Sequence, residues 1–84
     1  MKDKITAELK DMLKEMIDDE IDLDTIKDLI TELGMDSIQI VQLVVMIEEK
    51  YEIQIMDEDM DIDRLSKFDF VVDMILRYLD TSNG

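Results

Sequence analysis

Apolar positions recur every three to four residues along most of this chain, and charged residues fill the intervals. From Lys2 to about Asp18, the residues Ile5, Leu9, Met12, Leu13, Met16 and Ile17 fall on one stripe. Lys, Asp and Glu occupy the other side, which predicts an amphipathic helix with one buried face. From Ser37 to about Lys50 a second stripe of Ile40, Leu43, Val44, Ile47 and Tyr51 is assigned to the core. A last helix carries Phe68, Val71, Val72, Ile75, Leu76 and Leu79, and Ser66-Lys67-Phe68-Asp69 matches a Ser-x-x-Asp start signal. Residues 80–84, Asp-Thr-Ser-Asn-Gly, read as a flexible tail. With no proline and only two glycines, the chain is expected to be all-α and a single domain over 1–84.

The connections are patterned too. Asp18-Asp19-Glu20 opens a long stretch to Asp36, and "IDLDTIKDLITELG" within it is too apolar for a free linker. Asp24 is the expected cap of a short turn from Thr25 to Ile30. Leu23, Ile26, Leu29, Ile30 and Leu33 would hold this loop on the core. Gly34 ends it, where the chain needs a conformation that other residues disfavour. Further on, Ile53 and Ile55 pack a turn, and a short helix is expected near Asp57 to Leu65.

The second helix has more apolar residues than one core face needs. Ile38, Val41 and Val45 stand at i, i+3 and i+7, continuing to Glu48 and Glu49. This surplus stripe is either extra core or a contact surface, and contact is the expectation.

Charge and inventory narrow the function. A formal net charge of −14 repels nucleic acid and anionic membranes and favours basic partner surfaces. No apolar run is long enough to span a membrane, and Met1-Lys2 leads into mixed charge rather than a signal peptide. No cysteine is present, so disulfides and thiolate metal sites are out, and a cytoplasmic location is the simplest expectation. Histidine is absent as well, which removes the commonest general base, so the chain is read as non-catalytic. Asp57, Asp59 and Asp61 imitate the start of a calcium loop. The sixth and twelfth positions hold Ile62 and Phe68 instead of glycine and glutamate, so no metal site is assigned. Eight methionines mostly suit core filling, with Met35 and Met60 placed where a pocket for varied guests would need them.

One serine stands out. Ser37 follows an aspartate at the start of the second helix, where a helix N-cap is the plain reading. Its full setting is "LGMDSI", and Leu-Gly-x-Asp-Ser-Ile/Leu arises by chance in about one chain in a few thousand of this length. At these residues the chain resembles the acyl carrier proteins, from the first amphipathic helix to the last. The resemblance implies a small four-helix bundle with a long first loop and a short third helix. It implies that Ser37 receives 4′-phosphopantetheine from coenzyme A, within a motif that includes Gly34, Asp36 and Ile38. A separate phosphopantetheinyl transferase supplies that chemistry, so a chain without histidine or cysteine suffices. Asp36 would orient the serine and help bind the transferase.

The resemblance also assigns surfaces. The second helix would dock acyl-loading and acyl-processing enzymes with basic surfaces, through Ile38, Val41, Gln42, Val45, Glu48 and Glu49. Leu29, Val44, Ile47 and Ile55 would line the shelter for a thioester-linked chain. The expected protein is a monomer serving fatty acid biosynthesis or a related polyketide-type pathway. Some residues depart from the fatty-acid pattern. Gln39 and Gln42 stand where acidic residues are usual, Met56 replaces a common proline, and the stretch from Ile55 to Phe68 is slightly long. Asp-Ser-Ile is frequent in polyketide carriers. Val41-Gln42-Leu43 is similar to D-alanyl carriers, whose usual tryptophan is missing here. Aminoacyl carriage is therefore an alternative, and a non-carrier acidic helical interaction module is another.

Overall fold

The computed structural model describes residues 2–17 and 25–83. Its helices are α1 (Lys2–Met16), α2 (Leu29–Leu33), α3 (Ser37–Tyr51), α4 (Ile62–Leu65) and α5 (Phe68–Asn83), with a 3-10 turn at Asp57–Asp59. The apolar stripes explain the packing. Ile5, Leu9, Met12 and Leu13 of α1 meet Ile40, Leu43, Val44 and Ile47 of α3 and Phe68, Val71, Val72, Met74 and Ile75 of α5 in one buried cluster. Each such side chain contributes on the order of 2 kcal/mol by leaving water. α1 packs on both α3 and α5, while α4 contacts both of them across the remaining side. The result is the expected all-helical bundle, with α4 as its short helix and α2 as an added turn in the first loop.

Several local expectations need correction. α1 stops at Met16, two residues early, although the Ile17 N–H still donates to the Leu13 carbonyl at 2.9 Å. The first loop is helical at Leu29–Leu33, past the expected end at Ile30, and Asp28 caps this helix by accepting from the Ile30 and Thr31 N–H groups. Glu32 answers by accepting from the Lys27 and Asp28 N–H groups, both at 2.7 Å, so the turn is closed from either side. Leu23 and Asp24 lie outside the described residues. The expected helix between Asp57 and Leu65 is two pieces, because Asp61 starts a new cap by accepting from the Asp63 N–H at 3.0 Å.

Ser66 does not start α5. It closes α4, buried, with its hydroxyl donating back to the Asp63 carbonyl at 2.9 Å. The expected tail is helical as far as Asn83, and Gly84 lies outside the described residues. Tyr51, assigned to the core, is half-buried and donates its hydroxyl to Glu8 at 2.9 Å. Burial and that carboxylate push the Tyr51 hydroxyl pKa up.

The first loop is fastened where α4 meets α5. The Leu29 N–H donates to the Ser66 carbonyl at 2.7 Å, and the Phe68 N–H donates to the Lys27 carbonyl at 2.9 Å. Lys67 adds an ion pair with Asp28 at 2.5 Å. That bond to Lys67, then the N–H of Thr31, hold the Asp28 carboxyl down at about 2. Leu29, fully buried, plugs the same junction.

Candidate functional site

Two residues set the approach to α3. Gly34 takes φ 72° and ψ 21°, a left-handed conformation in which its N–H reaches the Ile30 carbonyl at 3.0 Å and closes α2. Met35 then turns inward and is almost wholly buried, so this methionine is core filler rather than pocket wall. The chain leaves the core at Asp36, with the next two side chains in solvent.

Asp36, not Ser37, caps α3. Its carboxylate accepts from the Gln39 N–H at 2.8 Å, and the Gln39 side-chain oxygen accepts from the Asp36 N–H at 3.2 Å, a reciprocal capping box. Ser37 is the first helical residue and is exposed. The plain reading of Ser37 as a cap is thereby removed. Its hydroxyl projects beside the first turn, where N–H groups lack intrahelical partners and the helix dipole is positive. A phosphodiester on that oxygen would meet favourable electrostatics, so the residues present fit a phosphopantetheine arm. Gln39, which stands where the fatty-acid pattern has an acidic residue, is thus a capping residue. The signal was present in Asp36-x-x-Gln39, a variant of the capping-box spacing.

The outward face of α3 carries the surplus stripe. Ile38 is 67% exposed, Val41 42% and Val45 45%, with Gln42 exposed among them, so none of these serves the core. The two glutamates diverge from this face. Glu48 is half-buried and accepts from the Ile55 N–H at 2.9 Å. Glu49 is exposed and borders a 340 Å³ surface cavity shared with Glu8, Asp11, Met12, Glu15, Met46 and Lys50.

Leu29, Val44, Ile47 and Ile55 all lie in the buried apolar cluster. The cavity beside α1 and a second one against Tyr78 are lined by other residues. The four expected lining residues are thus together, in packed interior. Of the acidic run, Asp59 accepts from Tyr78 and pairs with Arg77 at 3.3 Å, while Asp61 caps α4. Met60 is 36% exposed beside them. Among the described residues no helix is long and apolar enough to cross a membrane.

With the geometry in place, known proteins supply the comparison. Residues 3–68 match the family described as the phosphopantetheine attachment site. An acyl carrier protein of Campylobacter jejuni (strain RM1221) is 41% identical over 58 residues, spanning 66% of this chain and 73% of that protein. Its counterpart from Campylobacter jejuni subsp. doylei is 40% identical over the same extents. No solved structure matches.

Proposed function

The chain belongs to the acyl carrier protein family, non-catalytic carriers of 4′-phosphopantetheine, and from that premise we propose that Ser37 is the residue that bears the arm. One observation carries the assignment. Asp36 and Gln39 complete the capping of α3 between them, which leaves an exposed serine at the helix's positive end with no capping role. Asp36 fixes the backbone on which the Ser37 oxygen is presented to the transferase. The arm, once attached, supplies a terminal thiol on which acyl groups are held as thioesters.

The cargo in this reading is an acyl chain, for fatty acid biosynthesis or a related polyketide-type pathway. Its support is the interior beneath α3, where Leu29, Val44, Ile47 and Ile55 are wholly apolar and suit a hydrocarbon better than an aminoacyl group. Partner enzymes dock on Ile38, Val41, Gln42 and Val45, with Glu49 on the flank of that face. The charge of −14 steers basic surfaces toward it. The carrier acts as a monomer in the cytoplasm, one domain spanning 1–84.

Incubation with coenzyme A and a broad-specificity phosphopantetheinyl transferase tests the assignment by intact mass. The parent gains one phosphopantetheine and Ser37→Ala gains none. Stability separates the two neighbours independently. Asp36→Ala loses about 1 kcal/mol with the cap, whereas Ser37→Ala changes stability by less than about 0.5 kcal/mol. A folded parent that gains no mass, or a Ser37→Ala variant that still does, would refute Ser37 as the site.

A further inference from the structure

Where α1 lies beside α3, the flank of the bundle carries a groove that the outward stripe of α3 does not account for. Glu8 fixes how the two helices meet there. It accepts from the Tyr51 hydroxyl at 2.9 Å and pairs with Lys50 at 3.7 Å, so the end of α3 stands beside the middle of α1. From that contact the cavity of 340 Å³ extends past Asp11, Met12 and Glu15 of α1 and Met46 and Glu49 of α3. Its floor is methionine, with Met12 buried and Met46 half-buried. Its rim is acidic. Asp11, Glu15 and Glu49 are exposed, and among the described residues none of the three makes an ion pair. A helix turns by about 100° per residue, so Met46 and Lys50 lie roughly a quarter turn round α3 from Ile38, Val41 and Val45. The groove is therefore a second surface, with Glu49 on the edge between the two.

We propose that this groove docks a basic amphipathic helix of a partner protein. The helix rests its apolar face on Met12 and Met46 and sets lysines or arginines against Asp11, Glu15 and Glu49. Charge selects that occupant. A second copy of this chain, with 23 acidic and 9 basic residues, is repelled, as are nucleic acid and anionic lipid surfaces. A metal ion fits poorly, because among the described residues no three carboxylates gather closely enough to hold one. Asp11 and Glu15 stand about 6 Å apart along α1, the spacing of cations at i and i+4 on a facing helix. The methionines supply the apolar half of the contact, since their flexible thioethers adapt to the side chain laid on them. A volume of 340 Å³ is at the small end for a site that encloses a free ligand, and it suits one or two side chains inserted from a helix.

The contact needs no arm on Ser37, so it is measured on the unmodified chain, and its failure leaves the carrier assignment untouched. The probe is a fluorescein-labelled peptide of about 15 residues, leucine and lysine only, with leucine every three or four positions. A second peptide of the same composition spreads its leucines around the helix. Anisotropy titrations at about 0.15 M salt keep diffuse attraction small. The amphipathic peptide should bind the parent at least about tenfold more tightly than its rearranged counterpart. Asp11→Asn with Glu15→Gln should weaken binding about tenfold, and Met46→Gln should do the same by removing the apolar floor. Asp57→Asn with Glu58→Gln removes equal charge beside the other cleft, and should weaken binding less than about twofold. Circular dichroism checks that each variant folds, and the exposed carboxylate pair carries the test if Met46→Gln does not. In the parent, the methyl resonances of Met12 and Met46 should shift on binding, with those of Ile38 and Val45 unmoved. Equal binding of the two peptides, or no binding of either, overturns the proposal. So does an equal loss from the two charge-matched pairs, or a folded Met46→Gln that binds like the parent. Shifts centred on Ile38 and Val45 overturn it too, by moving the contact to the outward face of α3.

Discussion

The two ends of α3 are finished by different means. At its start, two capping motifs follow in series: Asp28 with Glu32 around α2, then Asp36 with Gln39 around α3. Backbone bonds from Leu29 to Ser66 and from Phe68 to Lys27 tie that end to the α4–α5 junction. At its finish, Glu52 sits at φ 54°, and beyond one backbone bond from Ile53 to Glu48 it is the side chains of Glu48 and Tyr78 that hold the chain that follows. Backbone-to-backbone ties give one fixed geometry, which suits Ser37 in the carrier role proposed for it. Side-chain ties are released one rotamer at a time, so this end is held less rigidly.

The sharpest way to break this contrast is Leu29→Ala. Leu29 has no exposed surface and anchors the fixed end, so the substitution should cost about 2–5 kcal/mol. Thermal melting would register that as a drop well beyond any from removing a side-chain tie of the segment that follows α3. A loss under about 1 kcal/mol would mean that the fixed end is not built on this plug.

Glu52→Gly sharpens the other side. A glutamate in the left-handed region is strained, and glycine there should stabilise the fold by about 1 kcal/mol. Urea unfolding checks the sign. A destabilised Glu52→Gly would show that the Glu52 side chain does more at this end than occupy a turn.

The smallest effect concerns charge at the fixed end. Asp28 titrates at about 2 when folded, below its ordinary 3.8, so the unfolded chain binds its proton first as the pH falls. Its ionised form therefore favours folding at all pH values above about 4, and that contribution fades between 4 and 2. Asn is also a good cap, so Asp28→Asn removes the charge and keeps the capping oxygen. In urea titrations the parent should be the more stable above pH 4, with the gap closing toward pH 2. Effects of the other carboxylates occur in both proteins and drop out of the difference. A gap constant from pH 6 to 2 would place the role of Asp28 elsewhere than in its pairing with Lys67.

Much of this was legible in the chain. The three long helices follow from their stripes, since a period of 3.6 with one apolar face has few ways to be buried. Gly34 marked the end of the first loop because a left-handed residue there is costly for other side chains. The exposed surplus on α3 was visible as well, because Ile38, Val41 and Val45 lie opposite the core stripe. The short elements were less legible. Ser66 fits a start signal that the fold does not use, and the helix expected from Asp57 to Leu65 is divided by a cap at Asp61. In each case several local hydrogen-bonding choices differ by about 1 kcal/mol, and distant contacts choose among them.

The sequence alone determined the helical class, the core faces and the motif around Ser37, because these depend on residue type and spacing along one element. Only the tertiary structure decided that Asp36 rather than Ser37 is the cap and that Glu48 turns to Ile55. It alone joined Tyr78 to Met56 and Asp59, across 22 and 19 residues of chain. Such pairings carry no periodic signal. They exist because burial of the apolar faces brings distant polar groups within reach, and each group then takes the partner that packing leaves beside it.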